Sequence, residues 1–192
     1  GEALAITGSG TVADQNVGTN KNVTLGTLAL ANNTASASNY SLSSATLNIT
    51  QRPLNITATK AYDGNTTITS GSVTLSNLSG GQTINTSGSI TTNSANVASY
   101  GTSDITVSSL SLADGTGAAS NYTLSGGTYS ASVTQKVVGL TGSRVYNATT
   151  TASLDTSNVS YAGLVSGDSF SGSYTGTFNT VTYTHLTLPT TS

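Results

Sequence analysis

Blocks of this 192-residue chain return at a spacing of 82 to 84 positions. Asn39-Tyr40-Ser41-Leu42 comes back as Asn121-Tyr122-Thr123-Leu124, and Ile49-Thr50-Gln51-Arg52 as Val133-Thr134-Gln135-Lys136. Tyr62-Asp63-Gly64-Asn65-Thr66-Thr67 comes back as Tyr146-Asn147-Ala148-Thr149-Thr150-Thr151. A solenoid coil repeats every roughly 20–50 residues, so this period is too long for one and has the size of a small domain. The chain reads as a tandem array: residues 1–52 are the C-terminal part of a first repeat, 53–136 a complete repeat, and 137–180 the N-terminal part of a third. Leu164-Val165-Ser166-Gly167-Asp168 answers Leu78-Ser79-Gly80-Gly81-Gln82, and Asn16-Val17 answers Asn96-Val97.

The correspondence ends after Thr180. Residues 181–192 have no counterpart in the other copies and read as a non-native tail, which fold reasoning sets aside. The tail holds the single histidine, His185, and one of the two prolines, Pro189.

Charged residues make up only 6% of the chain, against about 25% in ordinary soluble domains. Ser, Thr, Asn and Gly fill the difference. Disorder goes with low hydrophobicity and high net charge, whereas this chain is 35% hydrophobic, has nine tyrosines and carries a net charge of −2. Its Thr, Val, Ile and Tyr suit a pleated, half-buried surface, so folded β-structure is expected. With no cysteine, a disulfide framework and thiolate zinc sites are excluded. Five Lys plus Arg form no basic patch, which argues against nucleic acid as a partner. No apolar run approaches the ~20 residues of a membrane helix.

Within 53–136, Leu54-Asn55-Ile56-Thr57-Ala58 alternates apolar and polar, the period of a strand with one buried face. Val73-Thr74-Leu75 is the next run. Thr83-Ile84 through Ile90-Thr91 is another, weakened by Gly88. Ile105-Thr106-Val107 and Leu110-Ser111-Leu112 make a longer one, bent at Ser108-Ser109. Tyr122-Thr123-Leu124 and Tyr129 to Val133 close the unit. Asp63-Gly64 and Asp114-Gly115 are turn signals, because Gly accepts positive φ and Asp can bond its own backbone. No amphipathic helical stripe occurs. About seven short strands separated by turns indicate an antiparallel, immunoglobulin-like β-sandwich in tandem. A small β-grasp-like unit is the alternative, but it requires a helix for which no segment offers a candidate. Pro53 fixes φ and holds Arg52 extended, so one unit passes into the next without a spacer, as in a rod.

The Tyr62-Asp63-Gly64 triplet, its spacing to Asn121-Tyr122-Thr123-Leu124 and the closing Val133-Thr134-Gln135-Lys136 resemble the YDG repeats, related to the MBG repeats of bacterial surface proteins. The resemblance covers residues 1 to about 180. The third copy keeps Tyr146 but replaces Asp and Gly by Asn147 and Ala148, which questions any role for the carboxylate. The resemblance implies a large secreted, adhesin-like protein of filamentous haemagglutinin type with these units as stalk modules. It brings no catalytic residues.

No cluster announces chemistry. Without His185 there is no general base for a nucleophile, and no Gly-x-Ser-x-Gly elbow occurs. Asp63, Asp104, Asp114, Asp155 and Asp168 sit in different turns, where turn formation explains them better than paired-carboxylate hydrolysis. Asp63 and Asn65 offer two oxygens to calcium, short of the set an extracellular site uses. A Lys–Asn crosslink from Lys60 or Lys136 lacks a placed acid. Asn22, Asn48, Asn55, Asn77, Asn121 and Asn158 match the glycosylation pattern, as chance produces in such a composition. Tyr40, Tyr62, Tyr122 and Tyr146 recur, which points to packing within each copy, while Tyr100, Tyr161 and Tyr174 are candidates for exposure. No catalytic, cofactor or metal residues are therefore expected, and no enzyme. The expected function is an extracellular stalk on a bacterial surface, its partners being neighbouring repeats of the same chain. The alternative is a set of weak binding modules for surface glycans or host proteins, multiplied by avidity. The incomplete first and third copies are expected to leave strand edges exposed.

Overall fold

The computed structural model describes residues 1–155, 159–169 and 173–177. The tail reading for 181–192, with His185 and Pro189, falls outside them, as does Asn158. Regular structure among the described residues is strand, with single turns of 3-10 helix and no α-helix, so the chain is all-β. Residues 1–49 hold β1 (Ala5–Thr7), β2 (Thr11–Val12), β3 (Gly18–Thr24), β4 (Ala29–Ala31) and β5 (Thr46–Ile49). The middle segment holds β6 (Arg52–Pro53), β7 (Asn55–Ala61), β8 (Thr67–Thr69), β9 (Val73–Ser76) and β10 (Ile84–Thr92). It continues with β11 (Ala98–Tyr100), β12 (Ile105–Thr106), β13 (Leu110–Asp114), β14 (Tyr122–Thr123) and β15 (Tyr129–Thr134). The third segment holds β16 (Gly139–Gly142), β17 (Thr151–Asp155), β18 (Val159–Ala162) and β19 (Ser173–Thr177).

Alternation along β7 sets the core. Leu54, Ile56 and Ala58 are buried while Thr57 and Thr59 face solvent, the two-residue period of a strand with one wet face. Tyr129, Ala131 and Val133 do the same on β15. These strands belong to one sheet, ordered β11-β15-β7-β9. A second sheet pairs β10 with β8, β12 and β13, and brings Ile68, Ile90, Ile105 and Leu110 into the same hydrophobic cluster. The middle segment is thus two β-layers around one core.

The pairing corrects one expectation. The sheets are not wholly antiparallel: β7 and β15 run parallel, with Ile56 opposite Tyr129 and Ala61 opposite Thr134, and so do β6 and β14. First and last strands therefore lie side by side at the centre of the main sheet. That is the strand arrangement of the β-grasp alternative, with a second β-layer where that alternative required a helix. Local alternation reports which face of a strand is buried; it carries no information on the direction of a partner more than 70 residues away.

β10 meets two partners because its own partner strand is interrupted. Gly88 pairs Leu110 and Thr91 pairs Thr106, so three steps on β10 face four on the other strand, a β-bulge. Gly88 has φ +88, and a Cβ there would lie 2.0 Å from the Ser109 carbonyl oxygen. Gly8 in the first segment has φ +75 and the same 2.0 Å approach, to Thr27. Only glycine fits such a site. The bend expected at Ser108-Ser109 is this bulge.

The strand registers recur along the chain. Ile6 opposite Leu30, Val12 opposite Val23 and Gly18 opposite Ile49 correspond to Thr86–Leu112, Thr92–Ile105 and Ala98–Val133. Ala58–Val73 and Thr67–Thr91 correspond to Gly142–Val159 and Thr151–Thr177.

Tyrosine burial divides differently from the sequence reading. Tyr100 is in the core at 7% exposure, its hydroxyl donating to the Asn96 carbonyl at 2.5 Å. Tyr122 is buried as expected, whereas Tyr40 and Tyr146 are exposed. Tyr122 is covered by β6 and by Ser79 and Gln82 from the first half of its own segment; residues 1–52 carry no counterpart of those residues to cover Tyr40.

Replacing Ile90, which is fully buried in the second layer, by Ala should lower the unfolding free energy by about 2–5 kcal/mol. Denaturant titration followed by tyrosine fluorescence measures it. Thr57→Ala on the wet face of β7 should change stability by no more than about 0.5 kcal/mol; equal losses at the two positions would contradict the layering.

Candidate functional site

The Tyr-Asp-Gly triplet forms the turn after β7. Gly64 takes φ +78, and the Asp63 carboxylate accepts the Asn65 backbone N–H at 2.9 Å, the Asx-turn geometry that suits Asp here. The turn closes over Lys60, whose side chain is only 10% exposed. Its ammonium donates to Asp63 Oδ1 at 2.6 Å, to the Thr67 carbonyl at 3.0 Å and to the Asn65 carbonyl. The Lys60 hydrogen bond, then the Asn65 N–H, lowers the Asp63 pKa. A cation belonging to the chain thus occupies the centre of the loop considered for calcium. Among the described residues, no three His, Cys, Asp or Glu side chains gather as a metal would require.

The third segment shows which part of this arrangement is essential. Arg144 stands where Lys60 does, 84 positions on, and donates to Asn147 Oδ1 and to the Thr149 carbonyl. Asn147 also accepts the Thr149 N–H at 3.2 Å, and Ala148 adopts φ +57. An amide oxygen therefore replaces the carboxylate, and the retained element is the cation tying the turn together. The sequence reading noted the loss of Asp and Gly but missed the basic residue two positions before each tyrosine.

Two clefts lie where successive segments meet. The first, of about 220 Å³, is lined by Val17, Arg52, Ser79, Gln82, Asn121 and Tyr122 among others. The second, of about 400 Å³, is lined by Tyr62, Val97, Lys136, Val165 and Asp168 among others. Val17 and Val97, Arg52 and Lys136, Ser79 and Val165, and Gln82 and Asp168 stand at corresponding sequence positions, whereas Asn121 and Tyr122 line only the first cleft and Tyr62 only the second. Across the first, Asn121 accepts the Val17 N–H at 2.9 Å and donates to Asn16 Oδ1 at 2.9 Å, and Gln51 donates to the Ser120 carbonyl at 3.1 Å. Arg52 donates to the Asn77 carbonyl and side chain, each at 2.7 Å. At the second, Asp168 faces the Tyr62 hydroxyl; its charge, then burial, then a side-chain hydrogen bond raise the phenol pKa.

Two of the remaining carboxylates serve the backbone, and the Asp155 side chain lies outside the described residues. Asp104 accepts the Gly101 N–H at 3.0 Å and Asp114 the Ala119 N–H at 2.7 Å. Of the glycosylation-pattern residues, Asn77 and Asn121 use their amide nitrogens as donors, and Asn48 and Asn55 accept backbone N–H groups. Asn22 is exposed on β3.

These features define an all-β protein of short strands and side-chain-tied turns. The YDG domain family model matches residues 1–47 and 50–134, more than half of the chain, and the chain belongs to that family. No curated protein matches the chain, and no solved structure does. Among the described residues, no helix is long and apolar enough to cross a membrane, which leaves β-barrel spans unaddressed.

Lys60→Met should destabilise the middle segment by about 1–3 kcal/mol, since it removes the charged donor of three hydrogen bonds. Asp63→Asn should cost less, because Asn147 fills that place in the third segment. The Asp63 pKa is lowered on folding, so its contribution is present above the ordinary carboxylate pKa of about 4 and is lost as pH falls through the lower folded value. Thermal melts across that window should show the acid-dependent loss in the parent and its absence in Asp63→Asn. Excess calcium should leave the parent midpoint unchanged; a midpoint that rises with calcium would restore the metal reading.

Proposed function

We propose that this chain is part of the stalk of a large secreted or surface-anchored bacterial adhesin, a tandem series of sandwich-like β repeats holding a binding region away from the cell. The observation that carries this reading is the parallel pairing of β7 and β15. Parallel first and last strands make the chain enter a unit at one end and leave at the other. Antiparallel ones would return it to the end where it entered. Units joined this way extend in line, and β5, β6 and β7 follow one another with only residues 50–51 and 54 between them. β7 alone spans about 23 Å at ~3.3 Å per residue. The Ser, Thr and Asn exterior, with 6% charged residues, leaves little for pH or salt to act on, which suits an extracellular spacer. This reading assigns no enzymatic activity.

The polar first cleft favours one second reading, repeated weak sites for a neutral glycan, summed by avidity. Amide, guanidinium and hydroxyl groups line the first cleft.

Arrays of one to four complete units should grow in length by equal steps of roughly 30 Å, a strand plus its junction at ~3.3 Å per residue. Small-angle scattering reads this directly, and a maximum dimension that saturates with copy number would end the stalk proposal. A fragment of residues 51–136 should fold alone and bind no simple glycan. Glycan-array binding that rises steeply from one unit to two would favour the second reading instead.

A further inference from the structure

We infer that the Tyr62–Gly64 turn is the docking surface for the following segment of the same chain, received through Val165 and Asp168. The inference deepens the stalk reading and rests on it for its purpose, by naming the contact that sets one unit relative to the next.

Gly64 provides the first argument. Its left-handed φ does not by itself demand glycine, because Ala148 holds the equivalent place in the third segment at φ +57. A Cβ on Gly64, however, would lie 2.9 Å from Val165 Cγ1, closer than packed carbons approach. The missing side chain makes room for the neighbour. Tyr62 provides the second. The turn's internal ties run through Lys60, Asp63 and Asn65, and the Tyr62 hydroxyl takes no part in them; Tyr62 instead lines the junction cleft together with Val165 and Asp168. The triplet thus has two sides: Asp63 turns inward to the lysine, while Tyr62 and Gly64 present outward.

Recurrence provides the third. The preceding segment contributes Val17 at one junction and Val97 at the other. The connecting residues contribute Arg52 and Lys136, and the following segment Gln82 and Asp168. Equivalent residues meeting twice point to a defined seat between segments.

The chain has no cysteine, so nitroxides placed through Ser87→Cys and Ser160→Cys, both at exposed strand positions, report the distance between the middle and third segments without background labelling. Pulsed electron paramagnetic resonance on the full chain should give one narrow distance peak. Val165→Asp, which sets a carboxylate against the turn and beside Asp168, should abolish that peak while leaving the melting midpoint of the middle segment unchanged. Slow hydrogen exchange in the β16–β18 ladder verifies that the third segment stays folded. If Val165→Asp unfolds it, the conservative pair Tyr62→Phe with Asp168→Asn decides by the same readout. A broad distribution in the parent chain overturns the inference. So does a peak that stays equally narrow in a folded variant, since the connecting residues alone would then set the geometry. Neither result bears on array length, so docking and stalk fail separately.

Discussion

The pairing of β7 with β15 is the constraint on which the rest of the middle segment depends. In the order β11-β15-β7-β9 it is the only bond between the early hairpin, β7 with β9, and the late pair, β11 with β15. Ile56 and Tyr129, 73 positions apart, must meet before the main sheet exists. Closing so long a loop costs entropy, though only logarithmically in its length. The return is collective: Ile56 and Ala58 come beside Tyr129, Ala131 and Val133, and together they form the floor on which Ile68, Ile90, Ile105 and Leu110 pack. The same bond sets polarity along the chain, since parallel terminal strands make each segment's exit the opposite end from its entrance.

A sheet protein with so few charges must find its cohesion elsewhere. Lys21 with Asp14 and Lys60 with Asp63 are the ion pairs among the described residues, and both carboxylates are largely solvated, where such pairs contribute little. What distinguishes Lys60 is the pair of backbone carbonyls it also serves. The lysine, itself only 10% exposed, gives both carbonyls a charged donor. The cation persists through the change from Asp63 to Asn147, where an amide oxygen replaces the carboxylate as acceptor and Arg144 replaces Lys60 as donor.

Much of this was legible in the sequence because its signals are local. Leu54, Ile56 and Ala58 alternate on a strand that is where the pattern placed it, Gly64 makes its turn, and Gly88 interrupts β10 where the reading found weakness. Partner choice across the segment was not legible. Nothing in the alternation of β7 or β15 states that they run parallel, and a sandwich of antiparallel strands was the natural inference from strand count and turn spacing. Tyr100 was missed for another reason: it has no recurring counterpart, and recurrence was the test of burial, while its cover comes from elements far away in sequence. The Lys60 cage did have a sequence signal, the basic residue two positions before Tyr62 and again before Tyr146. That signal is a single basic residue whose identity changes from Lys60 to Arg144, and without the fold nothing ties it to the turn carbonyls it serves.

The two-sidedness of the Tyr62–Gly64 turn separates demands that would otherwise conflict. A turn that holds a segment together needs fixed internal hydrogen bonds; a surface that seats a neighbour needs shape. Placing the first in Lys60, Asp63 and the carbonyls of Asn65 and Thr67, and the second in Tyr62 and Gly64, lets each vary alone. The third segment bears the mark of this separation. Its internal side is rebuilt with Arg144 and Asn147, conserving the ties, while its outward side gains a methyl group at Ala148. That methyl sits at φ +57, so the third turn carries the strain a side chain meets in the left-handed region. At a seat like the one at Val165 it would add a clash, because a Cβ at Gly64 would lie 2.9 Å from Val165 Cγ1, a contact set by a neighbour and not by the turn itself. Substitution at this one position therefore acts on how segments meet as well as on the turn itself.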